Sequence, residues 1–213
     1  MSTVKTKLLI EQFDKNKTYA GLKKFCCGDT IIDKYVRENF KKDGQRDNKI
    51  VFVLVEDSLK KEDADLVEHN FIGFFTLQNF SMAMDKEARE LFKRPEFFGY
   101  SLPPLVSTLK IFMIGVDKNY QKQPERWGKQ LLLAALEKSL AIADVSTDVK
   151  AVVLDASPDA VGFYTRHRFV ALQDEPDENG TIPMFLPMHQ LRAARDLAYR
   201  TEPTPSTSVS DSE

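Results

Sequence analysis

The stretch Leu109 to Leu136, LKIFMIGVDKNYQKQPERWGKQLLLAAL, decides how the rest of the chain is read. Ile111 to Val116 is an apolar run of strand character, a polar loop follows, and from near Gly128 the apolar residues take helical spacing. A helix opening at the end of such a loop presents unpaired N–H groups and the positive end of its dipole, a ready seat for a phosphate or pyrophosphate. The local pattern also fits a plain structural turn. Residues further along the chain have to separate the two.

Downstream, Val149 to Leu154 reads as a buried strand, and Ser157-Pro158 as an N-cap followed by Pro at the first helical position, opening a short helix through Tyr164. Phe169 to Leu172 and Ile182 to Leu186 read as a closing strand pair around DEPDENG, and His189 to Tyr199 as a terminal helix. The central helix is expected over Trp127 to Ala143, with Leu132, Leu136, Leu140 and Ala143 in one stripe.

Upstream, Lys7 to Phe13 reads as a strand, and Asp29 or Thr30 caps a helix whose apolar positions are Ile31, Ile32, Tyr35, Val36 and Phe40. Two β-branched runs, Lys49 to Val55 and Asn70 to Leu77, flank the charged EDSLKKEDADLVEH, expected to be a long exposed hairpin loop. A short helix is expected around Asp85 to Phe92, before the aromatic RPEFFGYSLPP.

At 213 residues, 42% hydrophobic and 29% charged, the chain suits one domain over residues 1–200. Residues 201–213 form a Ser/Thr/Pro tail with three acids and no base, expected to be disordered. Removing those three acids leaves 29 acidic residues against 30 basic ones, a balance that argues against strong whole-molecule attraction to nucleic acid. Adjacent Cys26 and Cys27 suggest neither a disulfide nor a metal site, and no apolar run is long enough to span a membrane, so a cytoplasmic location is expected.

With Val116-Asp117, Tyr120-Gln121 and Gly128 in one block, and Asp155-Ala156, Ala160, Phe163-Tyr164 and Phe169 in the other, the chain resembles the GNAT superfamily of N-acetyltransferases. Phe25 to Tyr35, Gly73 to Leu77 and Met184 to Met188 are similar to its branch of toxin acetyltransferases from bacterial toxin–antitoxin pairs. That resemblance implies a single α/β domain on a mixed, mostly antiparallel sheet, splayed at the central strand and flanked by helices. It implies acetyl-CoA as co-substrate and a primary amine as acceptor, aminoacyl-tRNA being the branch's substrate. A ribbon-helix-helix antitoxin and a second copy of the chain are the implied partners, with no membrane. The rival functions are acetylation of a small amine or a protein amino group, and a non-catalytic acyl-CoA-binding module.

The resemblance also implies residue roles. Pantetheine would pair along Ile114, Gly115 and Val116, with Gly115 admitting close approach. The pyrophosphate would lie on the loop Gln121, Lys122, Gln123, Arg126, Trp127, Gly128 and Lys129. Tyr164 would be the general acid, whereas Asp117 and Asp155 read as cap or turn residues. The loop is about two residues longer than the family's Arg/Gln-x-x-Gly-x-Gly/Ala. Its leading Gln falls on Gln121 or Gln123 by register, its middle Gly on Pro124, Glu125 or Arg126, and the Gly of the second block on Arg168.

Overall fold

The computed structural model describes residues 7–45, 49–60, 63–83, 86, 105–146 and 148–201. The helix expected around Asp85 to Phe92 (apart from Lys86), the segment RPEFFGYSLPP and residues 202–213 lie outside the described residues.

The strands are β1 (Lys7–Gln12), β2 (Tyr19–Ala20), β3 (Ile50–Lys60), β4 (Asp63–Ala83), β5 (Leu105–Val116), β6 (Ala151–Ala156), β7 (Val170–Ala171) and β8 (Ile182–Pro187). They form one sheet in the order β1-β3-β4-β5-β6-β8-β7, with β2 paired in parallel to β4 beyond the end of β5. All other pairings are antiparallel except β5 with β6. The helices are α1 (Thr30–Glu38), α2 (Phe40–Asp43), α3 (Trp127–Val145), α4 (Pro158–Arg166) and α5 (Met188–Thr201). No helix among the described residues is long and apolar enough to cross a membrane.

Each face of the sheet carries its own core. Phe52, Phe75, Leu109, Val152 and Met184 pack under Leu131, Leu132, Leu136 and Leu140 of α3 and Tyr164 of α4. Val53, Val55, Phe71 and Phe74 pack under Tyr35 and Val36 of α1 and Phe40. The apolar stripe expected on α3 is buried in full. On α1 the pattern is only partly right: Tyr35 and Val36 are buried, but Ile31 stays 60% exposed, because the chain breaks at Asn39 and Phe40 reaches the core from α2.

The long loop expected between β3 and β4 is replaced by strand. Pairing continues from Glu56↔Asn70 to Lys60↔Asp63, narrowing the connection to 61–62. EDSLKKEDADLVEH contains neither Gly nor Pro, so pairing runs on through it, with one register shift between Leu59 and Lys60.

What positions the site is the parting of β5 from β6. Their parallel ladder holds only at Thr108, Leu109 and Lys110, opposite Ala151, Val152 and Val153. One step further, β5 carries an extra residue: Thr76 faces Met113 and Leu77 faces Ile111, leaving Phe112 as a bulge. A bulge bends its strand and increases its twist, which turns Ile114 to Val116 away from β6. The Met113 N–H donates to Thr76 Oγ1 at 3.0 Å. At the root of the fork Lys110 Nζ meets Asp155 Oδ2 at 2.5 Å, so Asp155, expected as a cap or turn residue, is instead a strand residue in an ion pair.

Candidate active site

Past the fork, Val116, Gly115 and Ile114 pair with Gly73, Phe74 and Phe75 of β4 on one side only. The Asp117 N–H donates to Ile72 O at 2.8 Å, and N–H directions alternate along a strand. Ile114 and Val116 therefore turn their N–H and C=O groups to the free edge. The Val116 carbonyl accepts Gln121 Nε2 at 2.9 Å, consistent with that orientation. This edge opens into a cleft of about 710 Å³.

The loop after β5 is pinned by its own polar side chains. Asp117, 8% exposed, accepts the Cys26 N–H at 3.1 Å and the Asn119 N–H at 3.0 Å. Gln121 Nε2 reaches Cys27 O at 2.8 Å, and Gln123 bridges Asn119 O and the indole N–H of buried Trp127. Gln121, Gln123 and Trp127 are thus spent on holding the loop, while Lys122, Arg126 and Lys129 have no ion-pair partner among the described residues. Arg126 is the N-cap of α3 with φ 53°, its side chain making no cap hydrogen bond. Only Gly accepts such a φ without steric cost. In the register Gln123-Pro124-Glu125-Arg126-Trp127-Gly128, which keeps the family's spacing, left-handed Arg126 stands in the place of its middle Gly.

Fewer amides are free than the loop reading implies. Pro124 has none, the Arg126 N–H donates to Gln123 O at 3.1 Å, and the Lys129 N–H donates to Arg126 O at 2.8 Å. Trp127 and Gly128, first in α3, have no acceptor one turn back within the helix. Gly115 has a use beside the expected one. A Cβ there would stand 3.1 Å from Ile32 Cγ2 and 3.3 Å from Phe25 Cζ, so its missing side chain admits the first turn of α1 and the Phe25 ring.

Tyr164 comes from α4 across the fork. Its ring lies edge-on to Phe163 and Phe169 at 5.2 and 5.8 Å, and 8% of the residue is exposed. Its hydroxyl makes no hydrogen bond among the described residues, and no buried polar atom lacks a partner, so the hydroxyl opens onto the cleft that the residue lines. Burial pushes the phenol up to about 12. α4 ends in a Schellman motif, with Phe169 N–H donating to Tyr164 O at 3.2 Å and Arg168 left-handed at φ 67°. Arg168 thus holds the conformation that suits the family's Gly. At the helix start Ser157 is the N-cap, but its side chain makes no cap hydrogen bond.

The cleft therefore gathers Ile114, Gly115, Val116, Gln121, Lys122, Gln123, Arg126, Trp127, Gly128, Lys129 and Tyr164, every residue singled out from the sequence. It adds Cys27, Asp29, Ile32, Tyr120, Phe163, Arg166 and His167, which sequence reasoning did not assign. His167 lines the same cleft with its ring 4.9 Å from Phe163. Burial, Lys129 and Arg166 hold its imidazole below the usual range. Sequence position within three residues of Tyr164 was the available signal for Arg166 and His167. Cys27 and Asp29 arrive by contacts such as Cys26 to Asp117, 91 residues apart, which no local pattern encodes. Burial pushes the Cys27 thiol up to about 12, so it is no nucleophile at neutral pH.

A sheet that splays at a bulged central strand, with a cleft between that strand's free edge and the helix after the next strand, defines the single GNAT-like α/β domain. Among solved structures the chain is similar to a bacterial toxin at 29% identity and TM-score 0.71, covering 89% of this chain and 96% of that one. It is also similar to a tyrosine-to-phenylalanine mutant of KacT at 18% identity and TM-score 0.68, covering 88% and 98%. A third likeness is to AtaT complexed with acetyl-methionyl-tRNAfMet, at 16% identity and TM-score 0.67, covering 89% and 99%. AtaT is a toxin also solved with acetyl-CoA and the C-terminus of the antitoxin AtaR, in line with the toxin branch that the sequence resembles. No family model matches the chain, and no curated protein does.

Proposed function

We propose that the protein is an acetyl-CoA-dependent N-acetyltransferase of toxin type, with the α-amino group of an aminoacyl-tRNA as its first candidate acceptor. The observation that carries this reading is the meeting of the free edge Ile114 to Val116 with the unpartnered Tyr164 hydroxyl across one cleft. It is supported by neighbours: AtaT has been solved bound with acetyl-CoA, with an antitoxin's C-terminus and with acetyl-methionyl-tRNAfMet.

In this reading pantetheine adds as a strand to the edge groups of Ile114 and Val116, and one N–H there polarises the thioester carbonyl. The pyrophosphate sits at the Trp127 and Gly128 amides with Lys122 and Arg126 beside it. A neutral amine attacks the carbonyl carbon, a C–N bond forms, the C–S bond breaks, and the amine gives its proton to solvent. An aminoacyl ester's amine has a low pKa, so no strong protein base is needed. Tyr164 donates to the departing sulfur. With the phenol at about 12 against a thiol near 8.5, complete transfer costs roughly 4–5 kcal/mol, more than an unperturbed phenol would need. Tyr164 is thus foremost a neutral hydrogen-bond donor to the developing thiolate.

The near balance of charge over the body favours a second acceptor class, a small amine or a protein amino group. Calorimetry with acetyl-CoA, then thiol release with aminoacyl-tRNA and simple amines, separates the readings. Absence of acetyl-CoA binding sinks the enzyme; tight binding with no turnover on any amine leaves the acyl-CoA-binding module.

A further inference from the structure

A second group of cations stands beside the α3 N-terminus. Lys129 comes from the first turn of α3, and Arg166 and His167 from the last turn of α4 and its C-cap, so two helices bring them to the same wall of the cleft. Lys129 and Arg166 have no acidic partner among the described residues. Arg166 lies back along its own helix over a residue without a side chain: a Cβ on Gly162 would be 3.7 Å from Nη1. Lys122 and Arg126 add positive charge from the loop. Asp29 is the one acid of the lining, and its Oδ1 is engaged by the Ile31 and Ile32 N–H groups at the α1 cap.

Such a cluster is repulsive until an anion occupies it, and the His167 imidazole, lowered first by burial, is lowered further by the charges of Lys129 and Arg166. The loop cations and the two helix-start amides already suffice for a pyrophosphate. Coenzyme A carries one more phosphate, on its ribose 3′ oxygen. We propose that Lys129, Arg166 and His167 form a separate seat for that 3′-phosphate, so that the protein selects the 3′-phosphorylated carrier. The proposal rests on the acyl-CoA reading of the cleft.

The test is calorimetry of the full chain with acetyl-CoA and with dephospho-acetyl-CoA, which lacks only that phosphate. Wild type is expected to bind the dephospho form roughly 10- to 100-fold more weakly, as loss of charge-assisted hydrogen bonds requires. The double variant Lys129→Ala/Arg166→Gln is expected to bind both ligands alike, near the weaker affinity. Because the ratio is measured on one preparation, a partly unfolded variant does not distort it. Titration in two buffers of different ionisation enthalpy adds a second readout. A dianion relieves the field on His167, so acetyl-CoA takes up protons near neutral pH, the dephospho form fewer, and His167→Gln removes the difference. Equal wild-type affinities for the two ligands overturn the proposal. So does a double variant that weakens both in equal proportion, which would assign the cluster to the pyrophosphate. If neither ligand binds, the acyl-CoA reading fails with it.

Discussion

Tyr164 does two jobs with separate parts of one side chain. Its ring is core, held between Phe163 and Phe169, while its hydroxyl has no protein partner. Tyr164→Phe should therefore leave the melting temperature nearly unchanged and lower turnover by roughly 10²- to 10³-fold, as loss of a hydrogen-bond donor to developing negative charge does. Parallel thermal melts and thiol-release rates check both halves. If the chain acts as a toxin, the same substitution should abolish growth arrest on expression. Arg168 makes the opposite case, since its φ of 67° strains the backbone and the residue does not line the cleft. Arg168→Gly should stabilise the fold by about 0.5–1 kcal/mol, raising the melting temperature by roughly 1–4 °C with turnover unaltered.

At the scale of elements, the site depends on close approach of β4, β5 and α3, and Gly73 sets that distance. A Cβ at Gly73 would lie 2.7 Å from Gly115 O and 2.9 Å from Leu131 Cδ1. The carbonyl belongs to the cleft-edge strand and cannot yield as a side-chain tip would, so Gly73→Ala should cost roughly 2–3 kcal/mol in denaturant unfolding. On the other wall, Asp33 of α1 accepts the Cys27 N–H at 2.7 Å and anchors the segment before the helix. Burial alone would raise its pKa, but hydrogen bonds from Cys27, Cys26 and Gly28 outweigh that and leave it lowered. A lowered folded pKa stabilises above the ordinary carboxylate range, and that contribution is lost as pH falls through the folded value. Asp33→Asn should thus cost about 1 kcal/mol at neutral pH, with the gap to wild type closing in unfolding series as pH falls below the ordinary carboxylate range.

For the whole molecule, charge sets how an aminoacyl-tRNA acceptor could be held. With 30 basic against 32 acidic residues, the chain carries no net positive charge to draw in a polyphosphate backbone. The Michaelis constant for tRNA should then change by only about tenfold between ~50 and ~200 mM salt, well below the 10³- to 10⁵-fold expected of a protein with six to ten phosphate contacts. Steady-state kinetics across that range measure it. A steep dependence would show that acids and bases are segregated on the surface.

Much of this was legible along the chain, because strand, helix and cap signals are short-range. The α3 leucine stripe, the Asp29 cap, Pro158 at the start of α4 and the spacing between the two junction blocks depend only on near neighbours, and the resemblance built on them located every cleft residue it named. Three features required the fold. Where β5 leaves β6 depends on the Phe112 bulge, a count of residues against a partner strand. The left-handed turn at Arg126 depends on backbone angles that side-chain identity alone argued against. The joining of Lys129 with Arg166 and His167, and of Cys27 and Asp29 with the loop, depends on which faces two helices turn to one gap. Sequence determined the elements and their order, since those rest on local hydrogen bonding and periodicity. Tertiary structure decided the cleft, since its charge and its free strand edge arise only where distant segments meet.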